Sequence, residues 1–211
     1  MLSFLRGEGD RRSPRLPLFP LNVVLFPGGK LPLKIFEQRY IEMAKACLRD
    51  DREFGVCLIT RGDEVLRPGS VAAPPEFAAI GTFAKIRTWD MPQLGILHVM
   101  ATGGARFEVQ SHEVQADGLV VADATQIAPE PSVMVGAARR PLAEFLRIIA
   151  ARVGASLFPE GERWEDASWV GYRLAEVLPL PMSIKQNMLE INDAEVRLDV
   201  LAKFLRQQQL I

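Results

Sequence analysis

The stretch Leu16-Pro17-Leu18-Phe19-Pro20-Leu21-Asn22-Val23-Val24-Leu25-Phe26-Pro27-Gly28 decides how this chain is read. It holds two short apolar runs, each cut by an Xaa-Pro step. Proline has no backbone N–H, breaks a helix interior and pushes the residue before it into extended geometry. The runs therefore predict short strands. The prolines place those strands at a barrel rim, where a ladder donor can be spared.

Reading outward, Lys30 to Ile35 has the character of a strand. From Phe36 to Asp50 the period changes: Tyr40, Ile41, Ala44, Cys47 and Leu48 share one helix face. Phe54 to Thr60 is an apolar run of strand length. Arg61 to Phe77 contains Pro68, Gly69, Pro74 and Pro75 and reads as a loop. Gly81 to Trp89 alternates, with Ala84 and Ile86 on one face and Lys85 and Arg87 on the other. Asp90-Met91-Pro92-Gln93 carries turn chemistry. Leu97, Val99 and Ala101 then alternate with His98, Met100 and Thr102. Gly103-Gly104 predicts a bulge or sharp bend that breaks this run. Arg106 to Val114 and Leu119 to Ile127 complete the strands.

Beyond Pro129-Glu130-Pro131 the pattern is helical. Leu142, Phe145, Leu146, Ile149 and Val153 form one stripe; Trp169, Val170, Leu174, Val177 and Leu178 form another. Leu178-Pro179-Leu180-Pro181 stops the second helix. Ser183 to Gln186 and Asn192 to Glu195 fit capping boxes, and Val196, Val200, Leu201, Phe204 and Leu205 mark a last helix. The expectation is an α+β chain with segregated halves: a flexible polar tail over 1–15, a β part over 16–130 and a helical part over 131–211.

The chain has 211 residues, of which 48% are hydrophobic, so a sizeable core is expected. Its formal net charge of −1 gives no basic excess of the kind nucleic-acid binding needs. No apolar run is long enough to span a bilayer. Two cysteines, Cys47 and Cys57, suit a reducing compartment, and the cytoplasm is the expected location.

Few residues suggest chemistry. Gly28-Gly29-Lys30-Leu31 lacks the spacing and the hydroxyl of a phosphate-binding loop and reads as a tight turn. Cys47 and Cys57 match no metal or redox spacing and read as small core hydrophobes. His98 and His112 have no ligand neighbours at metal spacing. The acidic residues Glu160, Glu162, Glu165 and Asp166 suit a solvated helix start. No catalytic residue, cofactor or metal is expected. A thiol hydrolase using Cys57 or Cys47 stands as a minor alternative. Trp89 and Met91, at a predicted hairpin tip, are either folded back as core or exposed as a contact patch.

Several blocks, in order, resemble the N-terminal substrate-binding domain of Lon-type ATP-dependent proteases. They are the opening stretch; Leu31-Pro32-Leu33-Lys34-Ile35-Phe36-Glu37-Gln38-Arg39-Tyr40; Phe54 to Ile59; Ile80-Gly81-Thr82-Phe83-Ala84-Lys85-Ile86; Gly103-Gly104-Ala105-Arg106-Phe107; and the closing Leu178 to Leu198. Together they span about residues 16 to 208, and the chain is identified as a stand-alone member of that family. The resemblance implies a PUA-like β pseudo-barrel with one embedded helix, followed by a C-terminal helical subdomain. It also implies a non-catalytic module that binds unfolded or partly folded polypeptides, linked to a protease or chaperone. Trp89 and Met91 are the candidate polypeptide-binding residues. RNA binding is the alternative, with Lys85, Arg87 and Arg106 as an outward basic patch.

Overall fold

The computed structural model describes residues 15–62, 75–154, 158 and 161–211. The expected tail, Arg15 apart, and residues 63–74 of the expected loop lie outside them. The strands are β1 (Leu16–Leu21), β2 (Lys30–Ile35), β3 (Phe54–Arg61), β4 (Glu76–Phe77), β5 (Ile80–Gln93), β6 (Ile96–Val114) and β7 (Val120–Gln126). Helix α1 (Gln38–Arg49) lies between β2 and β3. A 3-10 turn (Ala137–Arg139) leads to α2 (Arg140–Val153), α3 (Ala167–Val177), α4 (Met182–Glu190) and α5 (Ala194–Gln207). The α+β expectation holds, with strands first and four helices last.

Five strands close a ring. β1 pairs with β7, β7 with β6, β6 with β5 and β5 with β3, all antiparallel; β3 returns to β1 in parallel. β6 is the spine. One of its edges meets β5; the other meets β2 over Leu97–Thr102 and then β7 over Phe107–Val114. β1 is therefore not at a rim. Its prolines are tolerated because the strand divides its pairing: Leu16–Leu18 run against β7 and Leu18–Leu21 against β3. The second apolar run is not a strand. Residues 22–29 turn back, bury Leu25 and Phe26, and place Gly28 at φ 76°. Backbone hydrogen bonds fasten this turn to β6, with Gly28 N–H donating to Gly103 O and Gly103 N–H to Gly29 O, both at 2.8 Å.

The barrel core is filled from α1 and alternate strand positions. Tyr40, Ile41, Ala44 and Cys47 are buried against Leu21, Ile35, Phe54, Val56, Ile86, Leu97 and Val99. The Phe19 ring stacks on Tyr40 with centroids 3.9 Å apart. Each large apolar side chain enclosed this way contributes on the order of 2 kcal/mol.

Two local expectations need correction. Asp90 to Gln93 is not the turn; β5 runs through it with a register shift, and Leu94-Gly95 closes the hairpin, Gly95 having φ 82°. A glycine adopts that positive φ at little cost, whereas Pro92 needs only an irregular place in the ladder. At Gly103-Gly104 the expected bulge is present, but it does not end the strand. β6 is continuous there and takes up the bend as a bulge: Ala84 faces Gly103 while Thr82 faces Arg106, so β6 carries one extra residue.

In the helical half α3 packs against α2, α4 and α5. Its stripe residues Val170 and Leu174 are buried with Leu142, Leu146, Leu198, Leu201 and Leu205. α3 ends at Val177, before the Pro-rich stop. The first expected capping box is absent: Pro181 precedes α4 and Ser183 lies inside it. The second does not form as a box either: the cap moves one residue on, and Val196 stands where the acidic partner would be. Asp193 caps α5, accepting from the amides of Glu195 and Val196 at 2.9 and 3.0 Å.

A Cβ on Gly103 would lie 2.3 Å from the Phe26 carbonyl oxygen. Backbone cannot swing aside as a side chain does, so Gly103→Ala should destabilise the fold by about 1–3 kcal/mol. Urea denaturation checks this; wild-type stability would contradict the close approach.

Candidate functional site

A buried ionic cluster joins the two halves. Glu130 lies between the last strand and the helices, with its side chain only 3% exposed. Its carboxylate accepts hydrogen bonds from Tyr172 Oη (2.6 Å), Ser168 Oγ (2.8 Å) and the Arg197 guanidinium (3.0 Å from Nη1). Arg106, at the β6 bulge, stands 3.4 Å from the same carboxylate. Arg106 also donates to the carbonyls of Leu189 (2.8 Å) and Ile191 (3.1 Å), and to the Asn192 side chain. Arg197 donates to Met188 O at 2.8 Å and lies over the Tyr172 ring, 3.9 Å from its centroid. Nearby, Arg173 reaches from α3 to Pro27 O (2.9 Å) and Glu176 (2.8 Å). Gln186 of α4 donates to Ile80 O at 2.9 Å.

Burial by itself would raise the Glu130 carboxyl. The hydrogen bonds from Arg197, Tyr172 and Ser168, with the Arg197 charge, outweigh it and hold the carboxyl below the ordinary carboxylate range. Nothing in local periodicity marks these residues. Arg106 alternates like an outward strand residue, yet it is buried, which removes it from the expected basic patch. Of the other two cations, Lys85 pairs with Asp51 at 2.7 Å and Arg87 is exposed.

The β5–β6 hairpin carries Trp89 and Met91. Trp89 is 58% exposed and Met91 lies at the edge of exposure; Leu94, at the turn, is 93% exposed. The core alternative for Trp89 is thereby excluded. A shallow groove of about 560 Å³ runs between this hairpin and β2, lined by Leu33, Trp89, His98 and Met100 among others.

Other candidates take structural places. Both thiols are buried and free; burial pushes Cys57 up to about 12 and also raises Cys47. A thiolate nucleophile needs the opposite shift. Among the described residues, no group of three His, Cys, Asp or Glu side chains could hold a metal ion. Asp166 caps α3, accepting from Trp169 N–H at 2.9 Å, and Glu162 accepts from Trp164 Nε1 at 2.7 Å. Glu160 lies outside the described residues. No helix among them is long and apolar enough to cross a membrane.

Residues 15–207 match the sequence profile of the ATP-dependent protease La (LON) substrate-binding domain. The chain belongs to this LON substrate-binding domain family. It is similar to a Lon N-terminal domain protein from Xanthomonas campestris, with 32% identity and a TM-score of 0.72, covering 90% of this chain and 98% of that one. Lon protease 2 of Myxococcus xanthus is 27% identical over 202 residues, 93% of this chain and 24% of that protein. The chain thus spans about a quarter of the length of such Lon proteases. Protein cereblon of Xenopus tropicalis is 31% identical over 125 residues, 57% of this chain and 25% of that protein.

For this LON-family domain, Glu130→Gln would leave two buried guanidinium groups without a counter-charge and should cost about 3–5 kcal/mol at pH 7. A carboxyl with a depressed folded-state pKa stabilises above its unfolded value, about 4.3, and loses that effect as pH falls through the folded value. The gap between wild type and variant in urea denaturation should therefore narrow below about pH 4; a pH-independent gap would contradict the assignment. Separately, iodoacetamide should label neither Cys47 nor Cys57 until the protein is denatured. Labelling of the folded protein at the rate of a free thiol would revive the hydrolase alternative.

Proposed function

We propose that this chain is a non-catalytic recognition module that binds exposed apolar segments of unfolded or partly folded polypeptides and works with an ATP-dependent protease. The observation that carries this is the solvent-exposed Trp89, with Met91 and Leu94, at the end of a hairpin in a substrate-binding-domain family member. Unfolded chains differ from folded ones mainly in the apolar side chains they expose, and an exposed aromatic–methionine patch is a surface that retains them. We read the barrel as PUA-like, the 16–130 and 131–211 parts as its two subdomains, and the free buried thiols as suited to the cytoplasm. RNA is the less favoured ligand, because Arg106 is buried and Lys85 is paired with Asp51, which leaves Arg87 alone of the expected basic patch.

The test is fluorescence anisotropy with a labelled, carboxymethylated, permanently unfolded α-lactalbumin. Trp89→Ala with Met91→Ala should weaken binding about tenfold, the effect expected of truncating aromatic anchors. Both side chains are solvent-facing, so the melting temperature should stay near the wild-type value. Unchanged affinity would remove these two residues from the binding site.

A further inference from the structure

We infer that Met91 is an oxidation-sensitive position in the recognition surface: hydroperoxides convert its thioether to the sulfoxide and so weaken the capture of apolar segments. The inference rests on the polypeptide-binding reading and adds a modification site to it.

Burial sorts the sulfur atoms of this chain. Cys47 and Cys57 are buried, and burial raises both thiols, so they stay protonated. The thiolate is the form that peroxides attack, and oxidation follows thiolate character and exposure. Met43 in α1 and Met188 in α4 are enclosed in the two large cores, and Met100 in β6 is half-buried. Among the described methionines, Met91, Met134 and Met182 are the exposed ones. An oxidant in solution therefore meets these thioethers before it meets a thiol. Of the three, Met91 alone stands on the β5–β6 hairpin, between Trp89 and Leu94; Met134 precedes the 3-10 turn and Met182 opens α4.

The reaction balances with the hydroperoxide as its only co-reactant. A lone pair on Met91 Sδ attacks one peroxide oxygen, an S–O bond forms and the O–O bond breaks. The sulfur is oxidised by two electrons. The proton of the transferred oxygen passes to the leaving oxygen, which departs as water or an alcohol. A polar, chiral group then stands where a flexible apolar one stood. The structure confines the consequence to the patch. Met91 belongs to none of the core clusters, so no core loses a filler. Its backbone is held independently of its side chain, because Met91 N–H donates to Asp90 Oδ1 at 2.8 Å. An apolar guest that presses on the sulfoxide must strip water from a polar group and offers it no hydrogen bond in return, which disfavours binding.

The test treats the full chain with hydrogen peroxide, removes the peroxide with catalase, and then measures anisotropy with labelled carboxymethylated α-lactalbumin. Peptide mass mapping should show Met91 gaining one oxygen roughly ten times faster than Met43 and Met188, with Trp89 unmodified. The oxidised wild type should bind about tenfold more weakly than the untreated chain, and methionine sulfoxide reductases should restore the affinity. Met91→Leu keeps an apolar side chain of similar size and removes the sulfur. Its affinity should be the same before and after treatment, although Met134 and Met182 are oxidised in it. An equal loss in Met91→Leu, an unchanged affinity in wild type with Met91 fully oxidised, or oxidation of Met91 no faster than that of the buried methionines would overturn the inference and leave the polypeptide reading standing. Failure of the untreated wild type to bind α-lactalbumin would overturn that reading, and this inference with it.

Discussion

The Glu130 carboxylate, buried between Arg197 and Arg106, is the constraint on which the rest of the structure depends. A buried carboxylate is tolerable only when its lone pairs are met by charged or polar donors. Those donors come from distant parts of the chain: the β6 bulge, the middle of α3 and the first turn of α5. Each must therefore arrive in a fixed place. The bulge at Gly103–Arg106 aims Arg106 out of the sheet and into the helical half, where the carbonyls at the end of α4 receive it. The turn at Gly28-Gly29 locks onto the same bulge, so the proline-cut opening and the helices converge on one point.

This arrangement separates support from recognition. Three arginines, Arg106, Arg173 and Arg197, are spent inside the molecule, holding barrel to helices. The far end of the β5–β6 ladder exposes three large apolar side chains, Trp89, Met91 and Leu94, beside Asp90 and Gln93. A rigid double-anchored base carrying an exposed apolar hairpin is an economical way to present a sticky surface without loosening the core. Bulges and Pro92 along β5 protect that hairpin from pairing edge-to-edge with another copy.

Much of this was legible in the sequence. Strands at Lys30–Ile35 and Phe54–Thr60, the α1 stripe and the stop after α3 all follow from periodicity and proline, which are local signals. The misses share a different cause. Asp90–Gln93 looks like a turn by composition, but the register of β5 on β6 and the positive φ of Gly95 move the turn three residues on. β1 looks like a rim strand because of its prolines, yet it changes partners midway and sits inside the ring. Arg106 looks outward by alternation and is turned inward by the bulge. Asn192 looks like a cap but is taken by Arg106, leaving Asp193 to cap α5. In the last three cases a contact far away in sequence overrides a local preference. For the candidate site, Trp89 and Met91 could be named from sequence, but their exposure could not, and the Glu130 cluster carried no local mark at all.

The most direct measurement is anisotropy of the purified chain against an unfolded polypeptide and a single-stranded RNA, each at low and moderate salt. Apolar recognition survives salt, whereas phosphate recognition weakens steeply with it. Salt-tolerant binding of the polypeptide, with no comparable binding of RNA, is the expected result. Salt-sensitive binding of RNA alone would contradict the assignment of this domain to polypeptide recognition.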